Sequence, residues 1–387
     1  MKSDQLTRYF LILVFVLVPV TVSAELKPDR MGDVKTLPEQ YPSQWILVHD
    51  VAFNHMFDGK TIVMDATADT IADQFKGMFN SSLVGQLAQG TVRPEIYVAE
   101  TFYSRGTRGT RTDVLTIYDK STLSPIDEVD LGNNSRALTL PLKYAVQLID
   151  DEKLLLVYNF SPAMSVSVVD IRQRELLNVV ALPGCAPIYP TGQRGFSALC
   201  GEGAIFTVQL DADGQVKSTV RSEAFFDVDA DPLFAKPAIA NGIGYFPSYA
   251  GDIVPIDLRD DKPIVGERWS MTDDETAGWR PGGVAIADAD ANGIIYMLMH
   301  PGGGDGSHSN PGLEVWAFDP VSKERLARHE LKLPAISMAL TRDTENPLLV
   351  VTNVEMQIDV YAAKSGEFLR TLADFGGETP LLLLGAK

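Results

Sequence analysis

One unit recurs along this chain and constrains its fold more than any other feature. It is an alternating apolar run ending in aspartate, a short polar turn, and a second alternating run. The clearest copy is Val114-Leu115-Thr116-Ile117-Tyr118-Asp119, then Lys120-Ser121-Thr122, then Pro125 to Leu131. Period-two alternation on both sides of a polar turn is the pattern of a β-hairpin. Further copies end at Asp65, Asp170, Asp211, Asp257 and Asp319, and a seventh at Ala362. In the fifth copy Val254 to Asp257 hands over to Glu267-Arg268-Trp269. The spacings are roughly 40–60 residues, close to the length of a propeller blade. No long helical pattern interrupts them.

The recurrence predicts an all-β chain folded as a seven-bladed β-propeller of four-stranded antiparallel blades, each hairpin forming the outer two strands of its blade. A closed ring leaves only short strand edges exposed, whereas a row of small sheets invites edge pairing and aggregation. Closure needs one blade built from both ends of the sequence. Trp45 to Val48 and Thr61 to Val63 supply early strands of the first blade, and Pro380 to Leu384 is the candidate for its missing strand.

Residues 1–24 read as a signal peptide: Lys2 and Arg8 precede the apolar run from Tyr9 to Val22, and Val22-Ser23-Ala24 fits a cleavage site. The run is short for a spanning helix, which needs about 20 apolar residues, so export with cleavage is expected and no membrane anchor remains. Residues 25–44 form an N-terminal extension and 45–387 the propeller. A net charge of −18 argues against nucleic acid, whose phosphates require a basic surface. The two cysteines, Cys185 and Cys200, are expected to pair in an oxidising compartment.

Three motifs suggest ligands. Asp288-Ala289-Asp290-Ala291-Asn292-Gly293 opens like a calcium loop, but Met299 stands where the bidentate glutamate belongs, so Asn292-Gly293 reads as a hairpin turn. His300 to His308 is glycine-rich and lacks the Gly-Lys-Ser/Thr ending of a phosphate loop. It reads as a long inter-strand loop, with a metal site from His300, Asp305 and His308 as the alternative. Arg105, Arg108 and Arg111 suit either an anion site or a solvated loop, and both readings stay open. No nucleophile elbow, zincin helix or dinucleotide fingerprint occurs. No metal site and no catalytic residue is assigned to this chain.

Several of these stretches resemble the heavy subunit of the tryptophan tryptophylquinone amine dehydrogenases, the methylamine and aromatic amine enzymes. They are Ser104-Arg105 to Asp113, Asn159-Phe160-Ser161-Pro162-Ala163, Cys185 and Cys200, Ser248-Tyr249-Ala250-Gly251, and Gly278-Trp279-Arg280-Pro281-Gly282-Gly283. The segment Ala230 to Phe234 and the loop His300 to His308 look more like the aromatic amine enzyme. The resemblance implies a periplasmic α2β2 assembly in which a small, cysteine-rich β subunit carries the tryptophan tryptophylquinone. It implies oxidation of a primary amine to an aldehyde and ammonia, with electrons passed to a cupredoxin such as amicyanin or an azurin-like protein. With four tryptophans but only two cysteines, this chain resembles the partner of the quinone carrier. The family places a heavy-subunit phenylalanine at the substrate channel, and Asp50-Val51-Ala52-Phe53 matches that position. Phe53 is then a steric gate; the alternative is a packed blade residue.

Two other function classes compete: a free-standing exported propeller acting as a binding scaffold, and a self-sufficient propeller lyase or lactonase with a central metal.

Overall fold

The computed structural model describes residues 36–54, 57–83, 85–132, 142–372, 375 and 377–387. The expected signal peptide, and the extension up to residue 35, lie outside the described residues. The fold described is the unit Leu37–Lys387.

Antiparallel strands form six sheets. The first runs Pro380–Gly385, Trp45–Asp50, Asp58–Asp65, Phe75–Ser82, so the expected pairing of late and early segments is present, with Leu383 opposite Val48. The second is Gln86–Gln89, Glu95–Tyr103, Arg111–Asp119, Pro125–Asp130. The third is Val146–Ile149, Leu154–Asn159, Ser165–Asp170, Glu175–Ala181, and the fourth Cys185–Thr191, Gly195–Cys200, Ile205–Leu210, Val216–Arg221. The fifth is Ala238–Ala240, Ile243–Pro247, Asp252–Asp257, with Ile264–Val265 and Trp269–Ser270 both on its outer edge. The sixth has eight strands, from Arg280–Pro281 and Ala287–Ala289 through Ile295–His300, Gly312–Asp319, Glu324–Leu340, Leu348–Asn353 and Ile358–Ala362 to Phe368–Leu372.

The arrangement is a β-propeller, but its hydrogen bonding does not give seven separate blades. Five sheets stand alone with four or five strands; the sixth is continuous. The cause is the 17-residue strand Glu324–Leu340, which pairs with Gly312–Asp319 along its first part and with Leu348–Asn353 along its last. A register shift between Ala335 and Ser337 marks the later pairing, but the ladder is not cut. A second correction concerns the fifth hairpin. Its return strand is two short pieces, Ile264–Val265 and Trp269–Ser270, so that of Glu267-Arg268-Trp269 only Trp269 pairs; Gly266 donates back to the Pro255 carbonyl and Arg268 turns aside to Asp231 and Asp252.

All the recurrent hairpins form, and the recurrent aspartate has a local cause. Asp119 Oδ1 accepts the N–H groups of Ser121 and Thr122 at 3.0 and 2.8 Å. Asp170 does the same for Arg172 and Gln173 at 2.8 and 3.0 Å. Asp65, Asp211, Asp257 and Asp319 each accept the N–H two residues on. A short carboxylate mimics the backbone here and closes the turn after the third strand.

Apolar side chains alternate across each sheet, so both faces of an inner sheet can be buried. The core accordingly lies between sheets. Leu47, Val63 and Phe79 meet Leu87, Ile96 and Val98; further along, Tyr189 and Leu199 meet Phe246 and Val254. Val350 and Val360 of the sixth sheet pack on Ile46 and Ile62 of the first, which closes the ring. Outermost strands such as Val216–Arg221 are exposed along their length. The first strands of the sheets converge on a central cavity lined by Gln89, Val146, Pro190, Ile239, Asp288 and Leu384.

Candidate functional site

In every sheet the hairpin between second and third strands leaves at the same end of the ring, because sequence order runs from the centre outward. Phe53 sits in the first of these hairpins. Its position is set by Asp50, which is fully buried at the end of its strand. Asp50 Oδ1 accepts the N–H of Ala52 at 2.9 Å and of Thr379 at 2.8 Å, and Oδ2 that of Glu378 at 2.6 Å. Lys60 Nζ lies 3.6 Å away and supplies the counter-charge. Ala52 takes a positive φ of 46°, a conformation rarely used by alanine. Phe53 then donates its N–H to Thr379 Oγ1 at 3.4 Å. A buried carboxylate thus ties the hairpin to the segment from the far end of the sequence.

The Phe53 ring is 39 % exposed, and Phe57, Phe102 and Phe160 on the same end of the ring are 59, 42 and 50 % exposed. Phe57 lies over Gly106 of the neighbouring hairpin, where a Cβ would stand 2.7 Å from the Phe57 ring. Gly106 also takes a positive φ of 73°, which favours glycine there. Sequence reasoning selected Phe53 alone. The signal for the others was an aromatic residue at a hairpin end, where glycine, asparagine or aspartate is usual.

The remaining motifs resolve as follows. Arg111 is spent on the buried Asp113, with Nε 3.0 Å from Oδ1, while Arg105 and Arg108 are exposed in a turn closed by the Arg105 N–H to Arg108 carbonyl bond. Asp290 Oδ1 accepts the N–H groups of Asn292 and Ile294 at 2.9 and 3.0 Å, so the calcium-like stretch is a hairpin turn between Ala287–Ala289 and Ile295–His300. His300 is buried with Nδ1 on the Pro301 carbonyl, whereas the His308 ring stacks on Tyr249 at 4.9 Å. Among the described residues no three His, Cys, Asp or Glu side chains are grouped as a metal ion requires.

Trp279 of the Gly-Trp-Arg-Pro-Gly-Gly stretch has a packing role. The Arg328 guanidinium lies 4.8 Å from its ring centroid and 4.7 Å from that of Trp316, and Arg328 is held by Glu314 and Glu275. A charge held over two indole faces gains cation–π attraction. Burial works against the Glu314 carboxylate, yet bonds from Arg328 and Trp316 hold it below the usual carboxylate range. The Tyr249 ring is tilted against Phe234 and stacked on His308, which joins three of the quoted stretches. Cys185 and Cys200 are directly opposed on neighbouring strands of the fourth sheet and form a disulfide.

Comparison with known proteins adds what geometry alone does not. The family model for the methylamine dehydrogenase heavy chain matches residues 45–386. The chain belongs to that family. It is 28% identical to the methylamine dehydrogenase heavy chain of Methylophilus methylotrophus, over 94% of this chain and 91% of the relative. It is 30% identical to that of Paracoccus versutus, over 72% of this chain and 66% of the relative. Among solved structures, a putative 6-phosphogluconolactonase from Bacteroides fragilis superimposes with a TM-score of 0.60 at 12% identity, covering 91% of this chain and 98% of that one. At such identity the likeness concerns the fold alone. Heavy-chain membership makes this an amine dehydrogenase subunit.

Proposed function

We propose that the chain is the heavy, non-quinone subunit of an exported amine dehydrogenase that converts primary amines to aldehyde and ammonia and passes electrons to a cupredoxin. The observation that carries this reading is the family match over residues 45–386, which takes in nearly the whole described fold. In this proposal residues 1–24 are a cleaved export signal and the protein works in the periplasm. The continuous sixth sheet counts as two blades sharing Glu324–Leu340, which restores a sevenfold ring. The assembly is an α2β2 heterotetramer, and the small subunit holds the tryptophan tryptophylquinone.

The quinone supplies the two-electron oxidation, a capacity that ordinary side chains lack. The residues of this chain do something else. Phe53, Phe57, Phe102 and Phe160 form an apolar face on one end of the ring, and exposed aromatics rimmed by polar loops suit a protein partner. Asp50 fixes the backbone that presents Phe53, so the ring can narrow the substrate passage at that contact by steric exclusion. Co-purification from the native host, followed by an absorption scan, tests the proposal. The expected result is a small subunit with a quinone band co-eluting with this chain. A chain that purifies alone, with no small partner under native conditions, would instead support the free-standing scaffold.

A further inference from the structure

Lys236 stands just before the inner strand Ala238–Ala240 of the fifth sheet, and its side chain is half-buried. Antiparallel order puts the start of each inner strand at the end of the ring that carries Phe53. In the first sheet Thr379, which takes the Phe53 N–H, immediately precedes Pro380–Gly385. Lys236 Nζ donates to the Gly283 carbonyl at 3.2 Å. Among the described residues it has no carboxylate partner, and burial alone acts on its charge. Two other buried lysines are spoken for: Lys143 pairs with Asp288, and Lys120 donates to the main-chain oxygens of Gly90 and Lys387 at 2.6 and 2.7 Å.

The amine and its acceptor are both held in place. Phe234 donates its N–H to the Pro247 carbonyl at 2.8 Å, and the Tyr144 hydroxyl donates to the Pro237 carbonyl at 2.7 Å, so the backbone on either side of Lys236 is fixed. Gly283 donates its N–H to the His308 carbonyl at 3.0 Å. Lys236 lines a cavity of about 20 Å³ whose other walls include Leu142, Val284, Ala285 and Leu382. The polar groups of that lining, Lys143 and the Tyr144 hydroxyl, already have partners. A water needs about 10–15 Å³, so the space takes little more than a carbon and an oxygen. An ammonium buried without a partner gives up its proton readily, and the Lys236 pKa is pushed down to about 8. About a tenth of the side chain is then neutral at pH 7, against less than about a thousandth for an ordinary lysine. A desolvated, neutral lysine is the nucleophile that forms Schiff bases.

We propose that Lys236 is a carbonyl-binding lysine that takes a one- or two-carbon aldehyde as an imine. One N–H of the neutral amine stays on the Gly283 carbonyl, which leaves the lone pair free to bond to the carbonyl carbon. A proton passes from Nζ to the carbonyl oxygen, and the carbinolamine then loses that oxygen as water. Amine and aldehyde give imine and water, with no oxidant or reductant. The narrow apolar walls exclude a bulky substituent. The site does not rest on the amine dehydrogenase reading.

Reductive trapping tests it. The purified full chain is treated at pH 7 with limiting isotope-labelled formaldehyde and cyanoborohydride, and the label is mapped by peptide mass spectrometry. Lys236 should take label ~10-fold or more faster than Lys217 on the exposed strand Val216–Arg221. Its rate should rise with pH and level off above about 8, whereas that of Lys217 keeps rising towards ~10. With phenylacetaldehyde the advantage of Lys236 should vanish. Lys236→Arg keeps a donor for Gly283 and should remove the fast phase of total incorporation while the Lys217 rate and the melting temperature stay unchanged. A Lys236 rate no greater than that of Lys217, or an equal advantage with phenylacetaldehyde, overturns the proposal.

Discussion

Asp50 and Phe53 divide the work at the first hairpin: one fixes the backbone, the other presents a ring. Phe53→Ala removes a partly exposed side chain, so the fold should lose little. Steric selection is weak, on the order of 1–3 kcal/mol per methylene-sized difference. The relative kcat/KM for a bulky and a small amine should therefore shift by ~10–200-fold at most. A lowered melting temperature with an unchanged amine ranking would make Phe53 a packing residue. Asp50→Asn weakens bonds made to a buried charge, each worth about 1.5–3 kcal/mol, and should move both melting and selectivity. Phe53 was singled out only through the resemblance to the heavy subunit; the bonding of Asp50 was not legible at all, since two of its partners lie 328 and 329 positions away. Asp288 opens a stretch read correctly as a hairpin turn and not a calcium loop, but its partners in space, Lys143 before the third sheet and Arg342 beyond Glu324–Leu340, were not legible. Its pKa is lowered on folding, so its contribution is present above the unfolded value near 3.9 and is lost as pH falls below it. Asp288→Asn should cost about 3–5 kcal/mol at neutral pH, by leaving Lys143 and Arg342 without their partner. The gap in melting temperature between wild type and variant should shrink below about pH 4. A gap that is constant from pH 7 to pH 3 would refute the linkage.

At the scale of elements, hairpins were legible because their information is local. Alternation gives the strands and the aspartate closes the turn; the seventh copy keeps the hairpin with Ala362 in that place. The join between repeats was not legible. Nothing in residues 324–340 announces that one strand serves two partners, because each half alternates correctly for its own neighbour. The disulfide was expected from cysteine count and compartment, but its placement across adjacent strands emerged only from the register Cys185 to Cys200. It closes a separation of 15 residues. A loop of that size contributes about 3 kcal/mol in the chain-entropy model. Alkylation without reductant should label neither thiol, and replacing both cysteines by serine should lower stability by about that amount. Labelling of both thiols in folded, native protein would contradict the bond.

At the scale of the molecule, chemistry and scaffold are divided between chains in the proposed assembly. The purified heavy chain alone should reduce no dye with methylamine, phenethylamine or tyramine, and activity should appear on adding the small subunit. Turnover by the isolated chain would overturn that division. The first sheet carries a further consequence. Its innermost strand is the last to be synthesised, so a ribosome must deliver residue 385 before Trp45–Asp50 finds its inner neighbour. Until then the ring is an open arc with an unpaired edge, and contacts at such sequence separation form slowly. A prematurely stopped product can therefore never complete its ring. The join acts as a proofreader of the ring, admitting to the native state only chains that carry both of its strands.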